Sequence, residues 1–254
     1  MEMLTPFFGL FTSFVLFYYR KDFNRSNLYL ALFYLCSNLI VLVYFGLHFT
    51  KNPFWEGVFF VNFMPLSFVI GPLLFYYVKY AVAENKNIVP KDYLHLVPAL
   101  IVVIISLPYT TLPFSKKVAI AHHIQAVTQD YDFKISIFSL KQMMFLRPLH
   151  LFIYCVASLV YFKNATQKRL NQFGILPSNH TTIQRWIYAL VGLQLFISTY
   201  CFLDTFAAFI LKNEFLLFNP LIFLNLDFLN QLLSIIYQNL SKNLAPEYSI
   251  KCHY

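Results

Sequence analysis

Apolar residues run in long, nearly unbroken stretches along this chain, and polar residues are confined to the segments between them. Neither the alternation of a half-buried strand nor the stripe of a soluble amphipathic helix dominates. A helix that crosses a hydrocarbon core needs about 20 predominantly apolar residues. Seven stretches approach or meet that length, at 3–19, 28–49, 58–78, 93–107, 143–162, 186–211 and 216–237. The pattern predicts an all-α fold, a polytopic membrane protein whose seven-transmembrane-helix bundle occupies 1–237 and leaves 238–254 as a short cytoplasmic tail. The fourth stretch is the shortest and contains Pro98, with Tyr93 and Tyr109 as interfacial ends.

Composition agrees with the pattern. Of 254 residues, 59% are hydrophobic and 12% charged, and mean hydropathy is +0.59, which would leave a soluble domain with far too much apolar surface. The formal charge of +8 reports topology rather than nucleic-acid binding, because the cations are spread over loops instead of forming one stripe. Arg20, Lys21, Arg25, Lys79, Lys86, Lys91, Lys163, Lys168, Arg169, Arg185, Lys242 and Lys251 fall on one side of the seven-span arrangement. The smaller share, Lys51, Lys116, Lys117, Lys134, Lys141, Arg147 and Lys212, falls on the other, mostly around one long connection. The positive-inside rule then places the N-terminus outside and the C-terminus in the cytoplasm. Glu2 stands where a signal peptide would carry basic residues, so the first span is expected to be retained.

Two connections are long enough to matter. In the outer one, "SKKVAIAHHIQAV" spaces Val118, Ile120, Ile124 and Val127 for a short interfacial helix. The inner one, 163–185, is basic, carries Gly174 and Pro177 as breakers, and is expected to be a loop against anionic headgroups. The four cysteines show no CxxC or metal spacing, and no HExxH, GxSxG, GxGxxG or Walker A run is present. The chain is therefore expected not to be an enzyme and to hold no cofactor or metal.

Polar side chains at membrane depth are the informative ones, since a charge at the bilayer centre costs about 2.5 to 3.5 kcal/mol on insertion scales. With about 1.5 Å of rise per residue, His48, Asn62, Arg147, His150, Asp204 and Asn219 come to one depth in the outer half of the bundle. They form either a ligand pocket open to the outside or a structural Arg147–Asp204 pair. On the seventh span Asp227, Asn230 and Gln231 share a face, which reads as a hydrogen-bonded helix contact or as part of a polar path. Pro65, Gly71 and Pro72 interrupt the third span, and the Gly71–Pro72 pair serves as a packing kink or as a hinge.

The stretch "FVIGPLLFYYVKYAVAENKNIVPKDYLHLVPALIVVI" resembles the membrane region of a group of Bacteroidota regulators in which about seven helices precede a cytoplasmic AraC-type helix-turn-helix domain. The matching residues are Gly71, Pro72, Leu73, Leu74, Tyr77 and Lys79, then Leu94, His95 and Pro98. The tail "QNLSKNLAPEYSIKCHY" has only Lys242 and Lys251 as basic residues and is not expected to bind DNA itself. The resemblance implies an inner-membrane sensor of a bacterium that binds a small external signal and relays it to a cytoplasmic DNA-binding partner or helix-turn-helix domain. A second copy of the chain is a candidate partner, and a small-solute or ion transporter component is the alternative.

Overall fold

The computed structural model describes residues 4–18, 25–49, 52–59, 61–82, 89–126, 139–174 and 180–210. Among them the fold is helical, with no strand: α1 Leu4–Tyr18, α2 Arg25–Phe49, α3 Pro53–Phe59, α4 Met64–Val82, a 3-10 helix Pro90–Leu96, α5 Val97–Thr110, α6 Phe114–Ala126, α7 Leu140–Phe173 and α8 His180–Ile210. Five segments, in α2, α4, the 3-10 helix with α5, α7 and α8, are long and apolar enough to cross a membrane, and α1 is a shorter apolar helix. Only helices and closed barrels satisfy every backbone N–H and C=O internally in hydrocarbon, so apolar runs of this length fold as helices. The chain has the make-up of a multi-pass membrane protein.

Neighbours pack in the order α1, α2, α4, α7, α8, with α5 against α4 and the short helices α3 and α6 against each other. The hub is α4, which touches α2, α5, α7 and the 3-10 helix. Its run from Ile70 to Leu74 is buried without interruption. Leu73, Leu74, Tyr77 and Val78 join Leu30, Phe33, Tyr34, Phe162, Ile187 and Leu190 in the larger apolar core. A smaller core gathers Val61, Met64, Phe68, Val102, Ile105, Tyr109 and Met143 at the opposite end of α4.

Hydrophobicity alone does not bring helices together in lipid, and here small and polar residues do so. Ser13 Oγ donates to the Ala31 carbonyl at 2.7 Å, tying α1 to α2. A Cβ built on Gly9 would lie 2.0 Å from Asn38 Oδ1, and the Asn38 amide is itself anchored by donating to the Tyr34 carbonyl at 2.7 Å. Gly9→Ala is therefore expected to force Asn38 from its place and to lower stability by about 1 to 3 kcal/mol. Thermal unfolding of the purified protein measures it, and the double variant with Asn38→Ala should recover part of the loss.

Several boundaries differ from the sequence expectation. The third span does not run from residue 58: α3 stops at Phe59 and α4 begins at Met64. Asn62, expected one turn inside that span, sits in the intervening turn and donates to the Val58 carbonyl at 2.7 Å and the Gly57 carbonyl at 3.5 Å, closing the end of α3. Val61 takes the left-handed conformation at φ 53°, and Pro65 falls in the first turn of α4, where a missing N–H removes no helical bond. Pro98 likewise sits at the start of α5 rather than kinking it. The segment 163–185, expected as a loop, is helical through Phe173 and again from His180. No Pro or Gly interrupts 163–173, and Gly174, left-handed at φ 65°, donates to the Leu170 carbonyl and ends α7. At 34 residues α7 is about 51 Å long and outreaches a hydrocarbon core of about 30 Å.

The short helix expected in the outer connection is α6, which packs on α3 through Phe54 and Phe114, with Gly57 against Val118. The expected seventh span, 216–237, and the tail lie outside the described residues, and the expected first span corresponds to the shorter helix α1, so five of the described segments are long enough to cross.

Candidate functional site

One polar centre lies where the end of α4 meets the start of the 3-10 helix. Pro90 opens that helix, and Asp92 closes its first turn by donating its backbone N–H to the Val89 carbonyl at 2.8 Å. Its buried carboxylate accepts from the Lys79 ammonium at 2.5 Å, the Tyr80 hydroxyl at 2.9 Å and the Val89 N–H at 3.2 Å. Tyr76 donates to the Asp92 carbonyl. From α2, Tyr29 stacks on Tyr80 at 5.2 Å between centroids and tilts against Tyr76. Close by, Trp186 of α8 donates to the Tyr77 hydroxyl at 2.7 Å. Polar bonds thus join α4, α8 and the 3-10 helix at one end of the bundle, and ring packing of Tyr29 adds α2.

An aromatic and histidine chain leads from this knot into the bundle. His95, one turn past Asp92, packs against Phe75 and Tyr76, and its Nδ1 is 3.0 Å from the Tyr154 hydroxyl of α7. The Tyr154 side chain lies on Gly71: a Cβ there would be 2.9 to 3.0 Å from its Cβ, Cγ and Cδ2. His150, one turn before Tyr154 on α7, is held between the Tyr154 ring at 4.8 Å and the Phe68 ring of α4 at 5.2 Å.

The chain ends at a second polar centre. Both ring nitrogens of His150 and the Nε of Arg147 are buried with no hydrogen-bond partner. Cys201 of α8 is within electrostatic reach of both Arg147 and Asp204, which places all three at the α7–α8 contact. Pro148 lies between Arg147 and His150, so the Met144 carbonyl loses its helical donor, as Pro72 deprives Phe68 of its own. Both prolines therefore flank the contact of His150 with Phe68.

Of the residues singled out from the sequence, Arg147, His150 and Asp204 come to one region. Asn62 does not join them, its amide being bonded to α3. His48 lies in the last turn of α2, and its side chain is outside the described residues, as are Asn219, Asp227, Asn230 and Gln231. Gly71 is the packing point against Tyr154, and Pro72 stands within a continuous helix. Asp92 and Tyr154 were not foreseen. The available signal for Asp92 was its place two residues after Pro90, a helix-start position, with Lys79 across the loop.

Comparison with known protein families, curated proteins and solved structures returns no match to this chain.

Proposed function

We propose that the chain is the sensory part of a signalling system in a bacterial inner membrane, with its N-terminus outside, seven spans and its C-terminus in the cytoplasm. A small external signal enters the outer half of the bundle beside Arg147 and His150. The cytoplasmic face then passes the change to a DNA-binding partner, as the sequence resemblance implies. The observation that carries this reading is the continuous chain from the unpartnered His150 nitrogens through Tyr154 and His95 to the Asp92–Lys79 knot. It runs from that knot through Tyr76 into the bundle as far as Phe68 of α4, with side chains in contact, and the Pro72 and Pro148 positions give α4 and α7 a place to bend. Transport is the alternative reading, and the carboxylates it would use are Asp204 and Asp227, the second of which lies outside the described residues.

Reporter fusions test the orientation on which this depends. Fusions within 20–27, within 163–185 and after Tyr254 are expected to report the cytoplasm. A fusion after Tyr254 that reports the outside would end the sensor reading, since no relay to a cytoplasmic partner could then start from that end.

A further inference from the structure

We infer that residues 216–237 pack antiparallel along the free face of α8, with Gly192 at the middle of the contact. This rests on the seven-span reading, which supplies 216–237 as a span, and adds the surface that receives it. α8 turns Gln194, Ser198 and Asp204 inward, where all three are buried. Its other side holds Tyr188, Ala189, Gly192, Phe196, Thr199 and Leu203, all exposed and, with 3.6 residues per turn, gathered within about 100° of the circumference. Among the described residues nothing lies against the middle of this face: a Cβ built on Gly192 meets no atom within 4 Å. A glycine inside a helix is destabilising relative to alanine, and in a membrane small residues mark the points where another helix approaches closely. Gly9 against Asn38 and Gly71 against Tyr154 are two such points in this chain. Gly192 is a third whose neighbour is missing from the described residues.

The chain itself selects the occupant. α8 ends at Ile210 and the next apolar run begins at 216, so only residues 211–215 connect them. Fully extended, that connection reaches about 17 Å, and packed helices lie about 8 to 10 Å apart, so the run begins beside α8 or its neighbour α7. The free side of α7 exposes only large residues, among them Leu149, Ile153, Val156 and Val160, whereas that of α8 exposes Ala189, Gly192 and Thr199. Depth then aligns the two partners. Counted from the connection, Ser234 is level with Gly192, Asn230 with Phe196 and Asp227 with Thr199. Asp227, Asn230 and Ser234 share one face of a helix, so the polar side of the segment meets the part of α8 where backbones can come close. The Thr199 hydroxyl donates to the Leu195 carbonyl at 2.8 Å and keeps lone pairs that accept from the Asn230 amide. Polar side chains are costly against lipid, which turns that side of the segment toward protein.

Cysteine cross-linking of the full chain in membranes tests the contact. A protease site is inserted in 211–215, Cys252 is replaced by Ser, and the membranes are oxidised before cleavage, so that a disulfide keeps the two fragments together on a non-reducing gel. Gly192→Cys with Ser234→Cys is expected to join them, and Ser234→Cys alone is not. Val160→Cys with Ser234→Cys, at the matching depth on the free side of α7, is expected to leave them apart. Ala189→Cys with Tyr237→Cys serves where Gly192→Cys lowers expression. Thermal unfolding of the purified full chain gives an independent reading. Gly192→Leu should lower the unfolding temperature by several degrees, whereas at a position facing only lipid the gain in helix propensity would raise it. A link through Val160 in place of Gly192, a product of twice the chain's mass, no link in either α8 pair, or a raised unfolding temperature in Gly192→Leu would overturn the proposal. If the reporter fusion after Tyr254 still reports the cytoplasm, such a result removes the docking face and leaves the seven-span reading standing; if it reports the outside, both fall.

Discussion

Asp92→Ala is expected to loosen the end of the bundle that carries Lys79, lowering stability by about 3 kcal/mol, the scale for removing one partner of a buried ion pair. Asp92 is 6% exposed and its carboxylate has three donors, so its removal takes an acceptor from the Lys79 ammonium, the Tyr80 hydroxyl and the Val89 N–H. Lys79 is itself partly accessible, with 19% side-chain exposure, and recovers some hydration, which holds the loss to the lower part of that scale. Asp92→Asn keeps an acceptor and should cost less. The double variant Lys79→Met with Asp92→Leu should be closer to wild type than Asp92→Ala, because an apolar pair leaves no charge behind. Thermal unfolding of the three variants decides between an ion pair that holds the helices and a bystander; equal melting of Asp92→Ala and wild type would make it a bystander.

The second large effect is expected at Gly71. Gly71→Leu places a branched side chain where even a Cβ would lie within 3.0 Å of three Tyr154 atoms. One of those atoms is the Tyr154 Cβ, which is fixed to the α7 backbone and cannot rotate away. The only relief is separation of α4 from α7, which also breaks the Tyr154–His95 contact. The expected loss is about 3 kcal/mol, against about 1 kcal/mol for Gly71→Ala. Pro72→Ala provides the contrast: it restores a backbone donor toward the Phe68 carbonyl and leaves the close approach intact, so the fold should be kept or strengthened. A Gly71→Leu protein that unfolds at the wild-type temperature would show that α4 and α7 do not pack here.

These residues also explain a run that looked out of place in the sequence. In "GPLLFYYVKY" a glycine and a proline interrupt apolar residues, and the run ends in Tyr and Lys. In the structure Gly71 admits Tyr154, Tyr77 accepts from Trp186, and Lys79 pairs with Asp92, while His95 from the following "YLHL" meets Tyr154. The short motif is a set of contact points for three neighbours of one helix.

What could be read in advance followed from transfer physics. Long apolar runs report the free energy of placing a segment in hydrocarbon, and that depends on each residue's own chemistry. Hence α2, α4 and α8 were found near their places, and the helix in 114–126 was legible from its spacing. Boundaries slipped where the deciding feature was a cap rather than hydrophobicity. Asn62 closes α3 through two carbonyls, and Gly174, not the polar composition of 163–173, ends α7. The Arg147, His150 and Asp204 group was legible from depth, since rise per residue is constant, but Asn62 was misassigned because its turn was not visible as one.

By itself the sequence determined the class of the protein, a helical multi-pass membrane chain, together with the identity of its costly intramembrane polar residues. The tertiary structure decided which residues meet: Lys79 with Asp92, His95 with Tyr154, Gly9 with Asn38 and Gly71 with Tyr154. The reason is physical. Insertion into lipid sums over residues one at a time, whereas helix packing in lipid has no hydrophobic drive and turns on pairs, a small residue facing a large one or a donor facing an acceptor. Such pairs lie many residues apart in the chain, and only the fold makes them neighbours.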